Sequence, residues 1–128
     1  MSYHFSRQLA LPFDAALAKV GEALKREGFG ILTEIDVKAT LKSKLDVDFR
    51  PYRILGACNP QLAHQALQHE DKIGTMLPCN VIVQERAEGA VEVSAVDPVA
   101  SMQAVANPAL AEVAAQVRGK LKAVIDGL

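Results

Sequence analysis

At 128 residues the chain is long enough to close one hydrophobic core without disulfides or metal, so a single domain over residues 1–128 is expected. Half of the residues are hydrophobic (50%), yet aromatics supply only 5% and Trp none, which leaves Leu, Val, Ile and Ala to fill that core. A net charge of −1, with Lys and Arg scattered along the chain, argues against nucleic acid or an anionic membrane as partner.

Tyr3 to Leu9 alternates, with Tyr3, Phe5 and Leu9 on one face and His4, Ser6 and Gln8 on the other, the pattern of a half-buried strand. Arg7 falls on the apolar side and reads as a strand-end residue whose stem covers apolar surface while its head stays wet. Pro12 opens a helix at a position where a missing N–H costs nothing, and Phe13, Leu17, Val20 and Leu24 recur at helical spacing. Asp14 suits the first turn of that helix, Lys25 and Arg26 suit its last, and Gly28 is a left-handed stop. Phe29 to Asp36 follows as a strand with Phe29, Ile31, Thr33 and Ile35 in phase. Val37 to Asp48 is a solvated connector with a helical turn or two around Thr40 to Leu45.

The third strand, Tyr52 to Cys58, sets Tyr52, Ile54 and Cys58 on one face with Gly56 between them. Asn59 and Pro60 then mark a helix start, Asn as cap and Pro in the first helical position, and that helix ends near Glu70. Met76 to Glu85 is a fourth strand with Leu77, Cys79, Val81 and Val83 in phase. Arg86 to Gly89 turns the chain, and Ala90 to Val96 completes an antiparallel hairpin. Asp97-Pro98 begins another turn. Asn107-Pro108 repeats the cap-then-proline device before a helix striped with Leu110, Val113, Val117, Leu121 and Val124.

The order β-α-β-β-α-β-β-α predicts an α+β fold: a mostly antiparallel sheet with helices on one face, built on a ferredoxin-like split βαβ core with an appended strand and helix. Strand order is left open, since the fifth strand can pair at either side of that core. An exposed sheet edge or face in such a fold needs protection, which a homodimer would supply. The amino terminus lacks the apolar run of a secretory leader, and no segment nears the roughly 20 apolar residues that span a bilayer. The expected location is the cytoplasm, where thiols stay reduced.

The two cysteines each head a short motif, Cys58-Asn59-Pro60 and Leu77-Pro78-Cys79-Asn80. Cys58 lies just before a capped helix, where backbone N–H groups and the helix dipole favour a thiolate. Cys79 follows a proline expected to be trans. A right-handed crossover through the second helix would run the fourth strand parallel to the third and part the cysteines by a strand's length. A returning loop over Asp71 to Pro78 would bring them nearer. Zinc has no support: the spacing fits no standard site, and His64 and His69 lie about 140° apart around their helix. No phosphate loop, nucleophile elbow or paired carboxylate motif occurs, and Asp97 reads as a solvated or capping acid.

Gly56-Ala57-Cys58-Asn59-Pro60, Ile73-Gly74 and Leu77-Pro78-Cys79-Asn80-Val81-Ile82-Val83 together resemble the signature of the DUF302 family, and the likeness extends over nearly the whole chain. The resemblance implies a small, dimeric α+β domain of no settled activity. It also implies a shared site at Cys58, Asn59, Pro60, Pro78, Cys79 and Asn80. The leading functional expectation is a cytoplasmic ligand-binding or accessory domain with a pocket around Cys58 and Cys79. Asn59 and Asn80 would contact a small ligand or anion, with Gly56, Pro60 and Pro78 shaping the site. The first alternative is a thiol redox or sulfur-handling enzyme with Cys58 as nucleophile and Cys79 as resolving thiol. The second is a structural or interaction protein with inert core cysteines. No metal or other cofactor is assigned.

Overall fold

The computed structural model describes residues 2–128, the side chain of residue 88 excepted; Met1, the first residue of the expected domain, lies outside that description. Five strands, β1 (His4–Leu9), β2 (Gly30–Asp36), β3 (Tyr52–Cys58), β4 (Cys79–Glu85) and β5 (Val91–Val96), form one sheet in the order β1-β5-β4-β3-β2. Every neighbouring pair is antiparallel. The helices are α1 (Phe13–Arg26), α2 (Val37–Leu45), α3 (Pro60–His69), α4 (Pro98–Ser101) and α5 (Pro108–Asp126). The fold is thus α+β, as expected. The β1-α1-β2 unit is split more widely than in the ferredoxin-like plan, because β5, β4 and β3 all lie between its two strands.

Local chemistry sets the element ends. Helix α1 buries Ala16, Val20, Ala23 and Leu24 and stops at Gly28, whose φ of +85° lets its N–H reach Lys25 O (3.0 Å) while Phe29 N–H reaches Leu24 O (2.9 Å). Helix α2 is longer than the expected turn or two because the Asp36 carboxylate accepts from Ala39 N–H (3.0 Å) and starts the helix at Val37. It lies against the β2–β3 edge and buries none of its residues. Asp97 caps α4 by accepting from Val99 N–H (3.0 Å) and is buried beneath Arg118, whose Nε donates to it at 3.1 Å. Arg7 keeps its head exposed, as its sequence position suggested. Its Nη1 donates to Asp126 O (2.6 Å) at the C-terminal end of α5, where a cation opposes the helix dipole.

The parallel arrangement considered for β3 and β4 does not occur. Helix α3 does not cross the sheet; it packs on α5, and a 3₁₀ segment, Asp71–Met76, held by the buried Ile73, returns the chain to the end it left. That segment also delays β4, which begins at Cys79 rather than Met76. One sheet face, with Leu55, Ala57, Cys79, Val81, Val83, Val91, Val93 and Ala95, is buried under α1 and under Leu121, Val124 and Ile125 of α5. Each such Val or Leu contributes about 1.5–3 kcal/mol. A second cluster joins Leu62 and Ala66 of α3 to Ile73, Leu110 and Val113. No helix of the described residues is long and apolar enough to cross a membrane.

Candidate functional site

Register decides what the two cysteines can do together. Cys79 pairs with Ala57, and both are buried on the helix-covered face. Cys58 is one residue further along β3 and takes the opposite phase, that of Tyr52, Ile54 and Gly56. The expected cysteine pair is therefore corrected: the two thiols are free, belong to opposite phases of the sheet, and do not face each other across it. Burial pushes the Cys79 thiol up to about 11, with a smaller contribution from Cys58. A shift in that direction keeps Cys79 protonated at neutral pH, the opposite of what an activated sulfur needs.

The other motif residues hold this end of the sheet together. Asn59 Oδ1 accepts from Leu62 N–H (3.3 Å) and caps α3, with Pro60 at the first helical turn as expected. Asn59 Nδ2 lies 3.0 Å from where a Cβ on Gly28 would sit, so the same side chain packs over the end of α1. Its Oδ1 thus serves the start of α3. The Leu77–Pro78 peptide is cis, against the trans expectation. A Cβ on Gly56 would come within 2.7 Å of Pro78 Cγ and would clash with Thr33 Oγ1, so only glycine fits there. Cys58, Asn59, Leu62, Met102, Val117 and Cys79 line a cavity of about 30 Å³. That is room for about one water, and its mainly apolar walls give a water few partners. His64 and His69 are exposed on α3, and no cluster of three or more metal-ligating side chains occurs among the described residues.

Asn80 points the other way from Cys79, onto the sheet face that α1 and α5 leave uncovered. Cross-strand pairing builds that face in rows. One runs Ile35, Ile54, Ile82, Ser94, Ser6; the next towards the strand ends includes Thr33, Gly56 and Asn80, and the third Tyr52, Gln84, Glu92 and Gln8. A bulge at β2 between Ile31 and Thr33 puts Ile31 opposite Ala57 but Thr33 opposite Gly56, so the expected common phase of these two residues is broken. A trough of about 560 Å³ follows these rows, floored by Ile82 and walled by Tyr3, Tyr52, Asn80 and Val96. Along it His4 Nδ1 lies 2.8 Å from Ser6 Oγ, which lies 2.7 Å from Ser94 Oγ. From Asn80 to Gln84 the trough spans about 13 Å at the usual rise per residue of a strand.

The Gln84 end of the trough is cationic. Gln84 is only 8% exposed, unusual for an amide on an uncovered face. Its Oε1 accepts from Arg50 Nε (3.0 Å) and its Nε2 donates to Glu92 Oε1 (3.2 Å), which also accepts from Arg86 Nη1 (3.2 Å). The Arg50 guanidinium stacks on Phe49 and Tyr52, 4.4 and 5.5 Å from their ring centroids. Arg50, Gln84, Arg86 and Ala87 line a recess of about 350 Å³ that shares Gln84 and Arg86 with the trough. The sequence reading missed this site because alternating polar residues on a strand look like any solvated face. The buried Gln84 is its signature, and burial is visible only in the fold.

Residues 5–128 match the model of a family described as a domain of unknown function, DUF302. The chain is also similar to a solved structure, that of an uncharacterised conserved DUF302 protein from Bacillus stearothermophilus. Identity is 31%, 98% of each chain is covered, and the TM-score is 0.91. No curated protein matches.

Proposed function

The chain belongs to the DUF302 family, and from that premise we propose that it is a cytoplasmic ligand-binding domain whose site is the trough on the uncovered sheet face. The observation that carries this reading is the trough's size taken together with its lining. The trough, about 560 Å³, falls in the range of small-molecule sites, whereas the cavity that Cys58 and Cys79 help to line, about 30 Å³, holds no ligand larger than water. The trough also combines an apolar floor with a few fixed polar groups, the mixture that orients a small molecule. On this reading Cys79 is a packing residue and Cys58 an end-of-strand residue, and Asn80 is the member of the expected set that meets the ligand. The redox alternative loses support because burial raises the Cys79 thiol.

Octanol, a neutral probe of suitable length, tests the reading by amide chemical-shift mapping. Shifts concentrated at Asn80, Ile82, Ser94 and Val96 are expected. Shifts confined to Leu62, Met102 and Val117, or none at all, would overturn it.

A homodimer is a second reading, favoured by the β2 edge. Leu32 is 68% exposed there, with Leu45 and Val47 also exposed beside α2, and the outer side of β2 carries unpaired backbone groups. Sedimentation should give a dimer that Leu32→Lys converts to monomer. A wild-type monomer at tens of micromolar refutes it.

A further inference from the structure

The cationic recess at the end of the trough carries an inference that rests on the binding reading above and narrows its ligand. Two guanidinium groups are joined through Gln84, Arg50 directly and Arg86 by way of Glu92, and among the described residues Glu92 is the one carboxylate bonded into their network. The four side chains therefore carry a net positive charge at one end of an otherwise uncharged groove. Both arginines are pre-oriented. Arg50 is held by two aromatic faces and by Gln84 Oε1, and Arg86 by Glu92. Their bonds inside the network use Nε of Arg50 and Nη1 of Arg86, which leaves other N–H groups of each planar fork to meet anionic oxygens.

Burial of Gln84 explains why this arrangement is more than two surface arginines. An amide that is 8% exposed must have its donor and acceptor satisfied, and here the acceptor is satisfied by Arg50 itself and the donor by Glu92, which also holds Arg86. The recess and the trough share Gln84 and Arg86, so a molecule can lie along both. Its apolar part would run over Ile82 towards Asn80 for about 13 Å, the length of four residues of strand.

We propose that the uncovered sheet face binds an amphipathic anion, with its carboxylate or phosphate head between Arg50 and Arg86 and its apolar body along the trough. Octanol, octanoate and octyl phosphate share one chain and differ in the head, so calorimetric titration of the intact protein separates body from charge. Both anions should bind at least tenfold more tightly than octanol, equivalent to about 1.4 kcal/mol. That advantage should shrink as salt rises, while octanol binding does not change. Arg50→Gln and Arg86→Gln should each remove most of the advantage while octanol still binds, and Arg50→Gln, which takes the partner from the buried Gln84 Oε1, should also lower the melting temperature. Arg50→Lys, which keeps the charge but loses the fork, should retain part of it. The ratio of octanoate to octyl phosphate shows which head is preferred. Octanol shifts on the trough without any gain for the anions overturn this inference and leave the binding reading standing; no binding of any of the three overturns both. A full anion advantage in both glutamine variants also overturns it.

Discussion

Alkaline pH should destabilise this protein through Cys79. The thiol moves from an ordinary value of 9.0 to about 11 in the folded chain, chiefly because it is buried against Ala57 and Val81. Below pH 9 it is protonated in both states and has no effect on stability. Between pH 9 and 11 the unfolded chain releases the proton while the folded chain keeps it, so stability falls with rising pH and the loss is complete above about pH 11. At 1.36 kcal/mol per pKa unit the whole loss is about 3 kcal/mol, of which about 2 kcal/mol has appeared by pH 10.5. Lysines and tyrosines titrate in the same range, so the informative quantity is the gap between wild type and Cys79→Ala. With no Trp in the chain, urea unfolding is followed by circular dichroism at 222 nm in a reducing buffer. At pH 8 the variant should be less stable by about 1–2 kcal/mol, from lost packing. Towards pH 10.5 the gap should close, because only wild type carries the penalty. At the slope usual for small proteins this moves the wild-type midpoint by about 1 M urea relative to the variant. A gap that stays constant between pH 8 and 10.5 would show that Cys79 is not shielded as the fold implies.

Three further outcomes follow from named contacts. Gly56→Ala should cost about 1–3 kcal/mol in urea unfolding, since its Cβ meets the Pro78 ring and Thr33 Oγ1, and adding Thr33→Ala should recover only part of that; a change below about 0.5 kcal/mol refutes the close approach. Asn59→Ala should cost about 1 kcal/mol by uncapping α3 while Asn59→Asp costs less, measured by thermal unfolding near neutral pH. Arg7→Gln should lower stability by about 0.3–1 kcal/mol in low salt and less in 1 M salt, because its contribution is a cation against the C-terminal end of α5; an effect that does not respond to salt would assign Arg7 a packing role.

What could be read from the sequence is what local chemistry controls. Asn59-Pro60 and Asn107-Pro108 start helices because a cap and a proline at the first turn act through neighbours along the chain. Gly28 stops α1 for the same kind of reason. The same rule starts α2, whose Asp36 carboxylate caps it beside a run of charges. Strand order, by contrast, depends on where chain segments meet after long excursions. Nothing local in Pro60 to Pro78 says that α3 packs on α5 and returns the chain, rather than crossing the sheet.

The candidate site divides along the same line. The phase of each cysteine was correct in isolation: Cys58 with Ile54, Cys79 with Val81. Whether those phases share a face is set by the pairing of Ala57 with Cys79, a relation between strands that neither strand's pattern contains. The motif Leu77-Pro78-Cys79-Asn80 therefore serves two places at once. Pro78 closes over Gly56, Cys79 fills the core, and Asn80, one peptide unit on, faces the trough. A motif split between two faces of a sheet need not mark one reaction centre. Here Gly56 and Pro78 fix how β3 approaches β4, the strand that carries Asn80 and Ile82 into the trough beside Ser94, where a ligand would rest.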